Sequence, residues 1–219
     1  VGTGVGVAVA LGGGTGVGVA VGEIVGKQLA VGIDIVNDGE VGKPGYTVYI
    51  KDRLNGFEGD DILPDEPPWA KHFPEFYRNR HERGMSVKRP SCTGPITWKD
   101  REGVQTDIAN LRAALQGRQS EEVFMTAPSP GIAARYHRNQ YYDSHEKYLY
   151  ALADVLKDEY DAIHQAGLLL QVDCPDLTSS TTNTELHIQV LNDALRDIPP
   201  ERIRLHVCWG NYEGPHHLD

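Results

Sequence analysis

Cysteine is scarce in this 219-residue chain: Cys92, Cys174 and Cys208 are its only thiols. Three scattered cysteines cannot form a disulfide framework, so a reducing compartment, the cytoplasm, is expected. Positive charge is short too. Twenty-one Lys and Arg stand against 31 Asp and Glu, a formal net charge of −10, which argues against nucleic acid and anionic membrane as partners. Residues 1–22, a stretch of Val, Gly, Ala, Thr and one Leu, lack the basic start of a signal peptide, and their glycines make a poor membrane helix. No register in that stretch satisfies G-x-G-x-x-G, and no G-x-x-x-x-G-K occurs, so phosphate-cradling loops are not indicated. Its composition sets residues 1–22 apart as a low-complexity segment, read as appended or of mis-assigned residue types. What remains is varied: with 40% hydrophobic and 24% charged residues overall, one globular domain is expected over 23–219.

Within that domain, strands and helices alternate. Residues 32–36 read as a short strand running into the polar turn Asn37-Asp38-Gly39-Glu40. Residues 56–95, rich in Pro, aromatic and charged side chains, show little periodicity and are expected as an irregular insertion over one face, with a weak strand at 95–98. Val104, Ile108, Leu111 and Leu115 follow helical spacing up to Gly117. Residues 123–126 form a strand, and a long helix capped by Asp143 or Ser144 carries Leu149, Leu152, Leu156, Tyr160 and Ile163 on its apolar face. Residues 168–172 read as a doubly buried parallel strand, 182–185 as a capping box for a further helix, and 203–208 as the last strand.

This rhythm predicts an α/β fold with a parallel sheet. The polar clusters all fall at C-terminal strand ends, where barrel and doubly wound folds place their sites: Asp38 and Glu40, Thr126 and Ser129, Asp173, then His206 and Cys208. In an extended strand His206 and Cys208 point to one side. An imidazole and a thiolate so disposed suit zinc, although a packed histidine beside a buried thiol fits the same pattern. A (β/α)8 barrel needs about 250 residues. With about five strands legible, the barrel is expected to be incomplete, its last strands missing and its N-terminal segment anomalous.

Five stretches, in order, resemble the cobalamin-independent methionine synthase family, in its catalytic-barrel form, whose relatives include the epoxyalkane:coenzyme M transferases. They are GIDIVNDGEVGKPGY from Gly32, DRLNGFEG from Asp52, VFMTAPSPG from Val123, QVDCPDL from Gln171 and HVCWGNYEGPHH from His206. The resemblance implies a (β/α)8 TIM-type barrel and a zinc cofactor held by His206 and Cys208. It further implies an acidic pair, Asp173 and Glu40, that faces a small thiol substrate, with Asp173 on the amino group of homocysteine. Thr126 and Ser129 match the loop on the methyl-donor side. The family's remaining zinc ligands, a glutamate and a second cysteine, are expected beyond Asp219. Cys174 stands where the methionine synthases carry glutamate, which loosens the homocysteine assignment.

The expected activity is therefore zinc-dependent transfer of a methyl or other alkyl group to a thiol, from a folate or an epoxide. Metal coordination deprotonates a thiol at neutral pH and creates the nucleophile. The alternatives are thiol addition to an epoxide, as in the coenzyme M enzymes, and a non-catalytic or truncated barrel relative. A metal-free decarboxylase of the uroporphyrinogen type has no use for the His206/Cys208 pair. Lys43 and Arg53 are read as solvated surface residues, with contact to an anionic substrate tail as the other reading. His216 and His217 are read as solvated loop residues. Homo-oligomer formation is left open.

Overall fold

A computed structural model describes residues 15–62, 71–82, 88–179 and 183–208. Helix α1 (Thr15–Ala30) leads into the two-residue strand β1 (Ile35–Val36). Then come α2 (Tyr46–Arg53), β2 (Leu54–Ile62), α3 (Pro74–Glu82) and β3 (Lys88–Trp98). The chain continues with α4 (Glu102–Ala114), β4 (Glu122–Pro128), α5 (Pro130–Tyr136) and α6 (His145–Gln165). It ends with β5 (Leu169–Asp173), α7 (Asp176–Ser179), α8 (Thr184–Leu195) and β6 (Ile203–His206).

The strands β1, β4, β5 and β6 lie side by side in that order, and every pairing is parallel. Sequential parallel strands joined by right-handed crossovers put their helices on one face and all their C-terminal ends on one edge. The fold class is thus α/β with a parallel sheet, as the strand–helix rhythm predicts. Strand β5 shows how the faces divide. Leu170 and Val172 are fully buried, while Gln171 and Asp173, one residue out of phase, project to the opposite face.

Helix α6 supplies the thickest part of the core. Leu149, Leu152, Leu156, Tyr160 and Ile163 are all buried, and the Ser144 hydroxyl caps the helix by accepting from the Lys147 amide. Of the two cap candidates, Ser144 is the one used. Helix α1 packs on α4 and buries Val21 and Val25, continuing across the composition change at Glu23. Residues 1–14 lie outside the described residues.

Within the expected insertion, β2 and β3 pair antiparallel as a two-stranded ribbon; residues 63–70 and 83–87 lie outside the described residues. Its alternation is broken at two places, between Asn55 and Phe57 and between Glu58 and Asp61. Gly56 occupies the first break with φ of +93°, and a β-carbon there would lie 2.8 Å from the carbonyl oxygens of Gly94 and Pro95. Only glycine fits so close an approach in that conformation. The ribbon buries Phe57, Cys92 and Ile96 against the main core.

Candidate functional site

Four loops meet at the C-terminal edge of the sheet. After β1, Asn37 Oδ1 and the Asp38 carboxylate Oδ1 accept from the amides of Gly39 and Glu40 at 3.0 and 2.9 Å. These two side-chain turns replace backbone hydrogen bonds and permit the left-handed φ of +66° at Gly39 and +54° at Glu40. Asp38 is thereby a turn former, and Glu40 is turned out toward solvent.

Near the end of β4, Thr126 is buried, and its carbonyl accepts from Lys43 Nζ at 2.5 Å. Ser129 caps α5: its hydroxyl accepts from the Ile132 amide at 3.0 Å and donates to Asp176 Oδ1 at 2.7 Å. With both capacities used and 1% exposure, Ser129 shapes the loop from inside.

Asp173 lies between these loops and β6, in register with Pro128 on one side and His206 on the other. Neighbouring parallel strands run about 4.8 Å apart, so Asp173 and His206 are lateral neighbours. The Asp173 carboxylate has two donors. Tyr46 Oη donates to Oδ2 at 2.7 Å, and Gln171 Nε2 donates to Oδ1 at 3.2 Å. Gln171 also reaches Thr126 Oγ1 at 3.5 Å, giving a polar row across the sheet face: Thr126, Gln171, Asp173, Tyr46. Burial, then the hydrogen bond to Asp173 and the charges of Asp173 and Glu40, push the Tyr46 hydroxyl far above its ordinary pKa. Tyr46 is therefore a fixed neutral donor, and it lies within electrostatic reach of both predicted carboxylates.

His206 ends the β5–β6 ladder and is exposed. Cys208 is half-buried and lies two residues past the strand, so alternation alone does not fix its direction. The backbone around it is nevertheless pinned. The Cys174 amide donates to the His206 carbonyl at 2.8 Å, and Thr178 Oγ1 donates to the Cys208 carbonyl at 2.6 Å. Among the described residues no group of three or more His, Cys, Asp and Glu side chains is arranged to hold a metal ion. His216 and His217 lie outside the described residues.

Lys43 and Arg53 are not solvated surface residues. Their side chains are only 9% and 12% exposed. Arg53 pairs with Asp107 at 2.8 Å and lies over the Tyr49 ring. Tyr49 in turn donates to the fully enclosed Glu159. The GKPGY and DRLNG stretches thus hold an internal charged nest behind the strand ends. Cys174 is buried as well, and burial pushes its thiol pKa up to about 12.

Sequence reasoning missed Tyr46, Gln171, Asp176 and His187. Gln171 was findable, since it shares a strand face with Asp173 at i−2. Tyr46 and Asp176 stand where no period marks a side chain as functional, and His187, although on the predicted helix after residue 182, carries no signal beyond that helix's own pattern.

No protein-family model matches the chain. Methionine synthase of Sulfolobus acidocaldarius is 25% identical over 190 residues, 86% of this chain and 50% of that protein. Methionine synthase of Thermococcus kodakarensis is 23% identical over 182 residues, 83% of this chain and 48% of that protein. Among solved structures, a B12-independent methionine synthase from Shewanella sp. W3-18-1 in complex with selenomethionine superposes with a TM-score of 0.71 and 24% identity, covering 90% of this chain and 52% of that one. The chain is thus similar, over most of its length, to methionine synthases of the B12-independent type. A putative vitamin-B12-independent methionine synthase from Listeria monocytogenes superposes with a TM-score of 0.62 at 23% identity, over 90% of this chain and 56% of that one. The chain spans about half the length of the curated relatives it matches. Among the described residues no helix is long and apolar enough to cross a membrane.

Proposed function

We propose that this chain contributes the strand-end site of a (β/α)8 barrel that transfers a methyl group to a small thiol, with homocysteine as the acceptor and a methylated folate as the donor. The observation that carries this reading is Asp173. It is a carboxylate at 5% exposure, held by two donors and in register beside His206. A buried carboxylate so fixed is suited to an ammonium group, and its strand neighbour supplies a metal-type ligand.

His206 and Cys208 would hold zinc. An exposed imidazole and a half-buried thiol on a pinned backbone fit two positions of a tetrahedral site, and the donor types are those zinc prefers. Bound zinc would supply the charge that keeps an acceptor thiol ionised at neutral pH. The chain's own residues do the rest. Asp173 receives the amino group, and Tyr46 and Gln171 keep that carboxylate from turning away. Glu40, across Tyr46, adds a second negative charge on the amino side. Thr126 and Ser129 shape the wall on the donor side. The setting proposed for this chemistry is cytoplasmic.

Cys174 supports a second reading. Buried, with a pKa of about 12, it cannot act as the carboxylate that the methionine synthases carry there, so an acceptor thiol without homocysteine's amino acid end, opening an epoxide, is the alternative. Incubating the full-length protein with 13C-methyl-labelled methyltetrahydrofolate and homocysteine decides between them by NMR. Labelled methionine is expected, and its formation should be lost in Asp173→Ala. Product from an epoxide and 2-mercaptoethanesulfonate, with none from the folate, would overturn the methyl-transfer reading.

A further inference from the structure

From Ser129 a polar chain runs through buried Asp176 and His187 to exposed His145, and beyond Ser129 the proposed chemistry does not use it. Ser129 Oγ donates to Asp176 Oδ1 at 2.7 Å, and Asp176 Oδ2 meets His187 Nδ1 at 2.9 Å. His187 Nε2 meets His145 Nε2 at 3.1 Å, with ring centroids 5.3 Å apart. The two imidazoles face each other end on, one donating and one accepting. With Nδ1–H given to Asp176, His187 accepts through Nε2, and His145 is the donor. Asp176 and His187 are 3% and 9% exposed. Gly131 makes room for them: a β-carbon there would lie 2.0 Å from Asp176 Oδ2 and 2.5 Å from His187 Nδ1.

The chain closes on Asp173. The Ser129 amide donates to the Asp173 carbonyl at 3.0 Å, and Asp176 lies three residues further along. The loop after β4, the loop after β5 and helix α8 are therefore tied together at the Asp173 main chain. The same stretches of sequence that the resemblance picks out, TAPSPG and DCPD, meet here.

We infer that Asp176 and His187 are positioning residues, which fix the main chain of Asp173 at the strand end and thereby place its carboxylate where it selects an amino-bearing thiol. This rests on the reading of Asp173 given above. A buried carboxylate with two partners resists rotation, whereas the loss of His187 leaves Asp176 under-satisfied and free to pull on Ser129 or on its own loop.

The test is calorimetric titration of the zinc-loaded full-length protein with homocysteine and with 4-mercaptobutyrate, which has the same thiol and carboxylate but no amino group. His187→Ala is expected to weaken homocysteine about tenfold or more while changing 4-mercaptobutyrate by less than about twofold, the scale of one mis-set charged hydrogen bond. His187→Asn, whose amide stands where Nδ1–H does, is expected to restore homocysteine binding. His187→Gln, whose amide reaches toward His145 instead, is not, and it keeps the test alive if the alanine variant does not fold. Equal weakening of both thiols would show a merely structural role and overturn the inference, as would parent-like binding in His187→Ala and His187→Gln. If Asp173→Asn retains the preference for the amino thiol, the reading of Asp173 itself fails, and that failure is visible separately from the His187 series.

Discussion

Replacing Glu159 by Gln tests the internal charged nest. Glu159 is fully enclosed on α6, accepts from Tyr49 Oη, and has one carboxyl oxygen without a hydrogen-bond partner among the described residues. Burial raises its pKa above the usual 4.5, against the opposing pull of Lys43, Tyr49 and Arg53. Because the folded value lies above the unfolded one, the native protein keeps a proton that the unfolded chain releases. The stability this contributes is fully present below pH 4.5 and is lost as pH rises through the raised folded value. Glutamine preserves the acceptor for Tyr49 and never ionises. Below pH 4.5 parent and variant should agree to within about 1 kcal/mol, since the number of satisfied hydrogen bonds is nearly unchanged. Above it, each pH unit spanned by the shift favours the variant by about 1.4 kcal/mol. For a domain of this size that is roughly 3–6 °C in melting temperature. Thermal melts of both proteins from pH 4 to pH 8 read the difference directly, and other titrating groups cancel in it. Parallel curves for parent and variant across that range would refute the assignment of a raised pKa to Glu159.

Three further outcomes follow from packing. Gly56→Ala should destabilise by about 2 kcal/mol or more, because a β-carbon at positive φ meets two carbonyls of β3; urea midpoints measure it. Leu152→Ala, at a fully buried position of α6, should cost about 2–5 kcal/mol in the same assay. Iodoacetamide at pH 8 should label half-buried Cys208 and spare Cys92 and Cys174, whose thiols burial pushes up to about 11 and about 12. A pKa of 12 leaves about one thiolate in ten thousand at that pH. Mass mapping of native-state label at Cys174 would contradict its placement in the core.

The parts of the fold legible in the sequence are those that obey one period for long enough. Helix α6 shows its apolar face over 21 residues, and β5 is a near-continuous apolar run. Helix α2, YTVYIKDR, buries only Tyr49 and Ile50, too little to print a helical repeat. The ribbon of β2 and β3 hides its alternation behind two register shifts. Asp173 and His206 stood out because each ends an apolar strand. Tyr46 did not, because it reaches Asp173 across 127 residues of chain, and nothing local marks such a contact. The expectation that Lys43 and Arg53 are solvated failed because carboxylates are folded against both: Asp107, 54 residues away, against Arg53, and Asp38, on the preceding turn, against Lys43.

The proposed function stands or falls on zinc held at the edge of this sheet by His206 and Cys208 and presented to a thiol. Zinc K-edge absorption spectroscopy of the full-length protein, with and without homocysteine, tests it most directly. The account predicts stoichiometric zinc with nitrogen near about 2.0–2.1 Å and sulfur near about 2.3 Å, one additional sulfur on adding the thiol, and loss of the metal in Cys208→Ser. A Cys208→Ser variant that retains stoichiometric zinc, or a first coordination sphere unchanged by homocysteine, would contradict it.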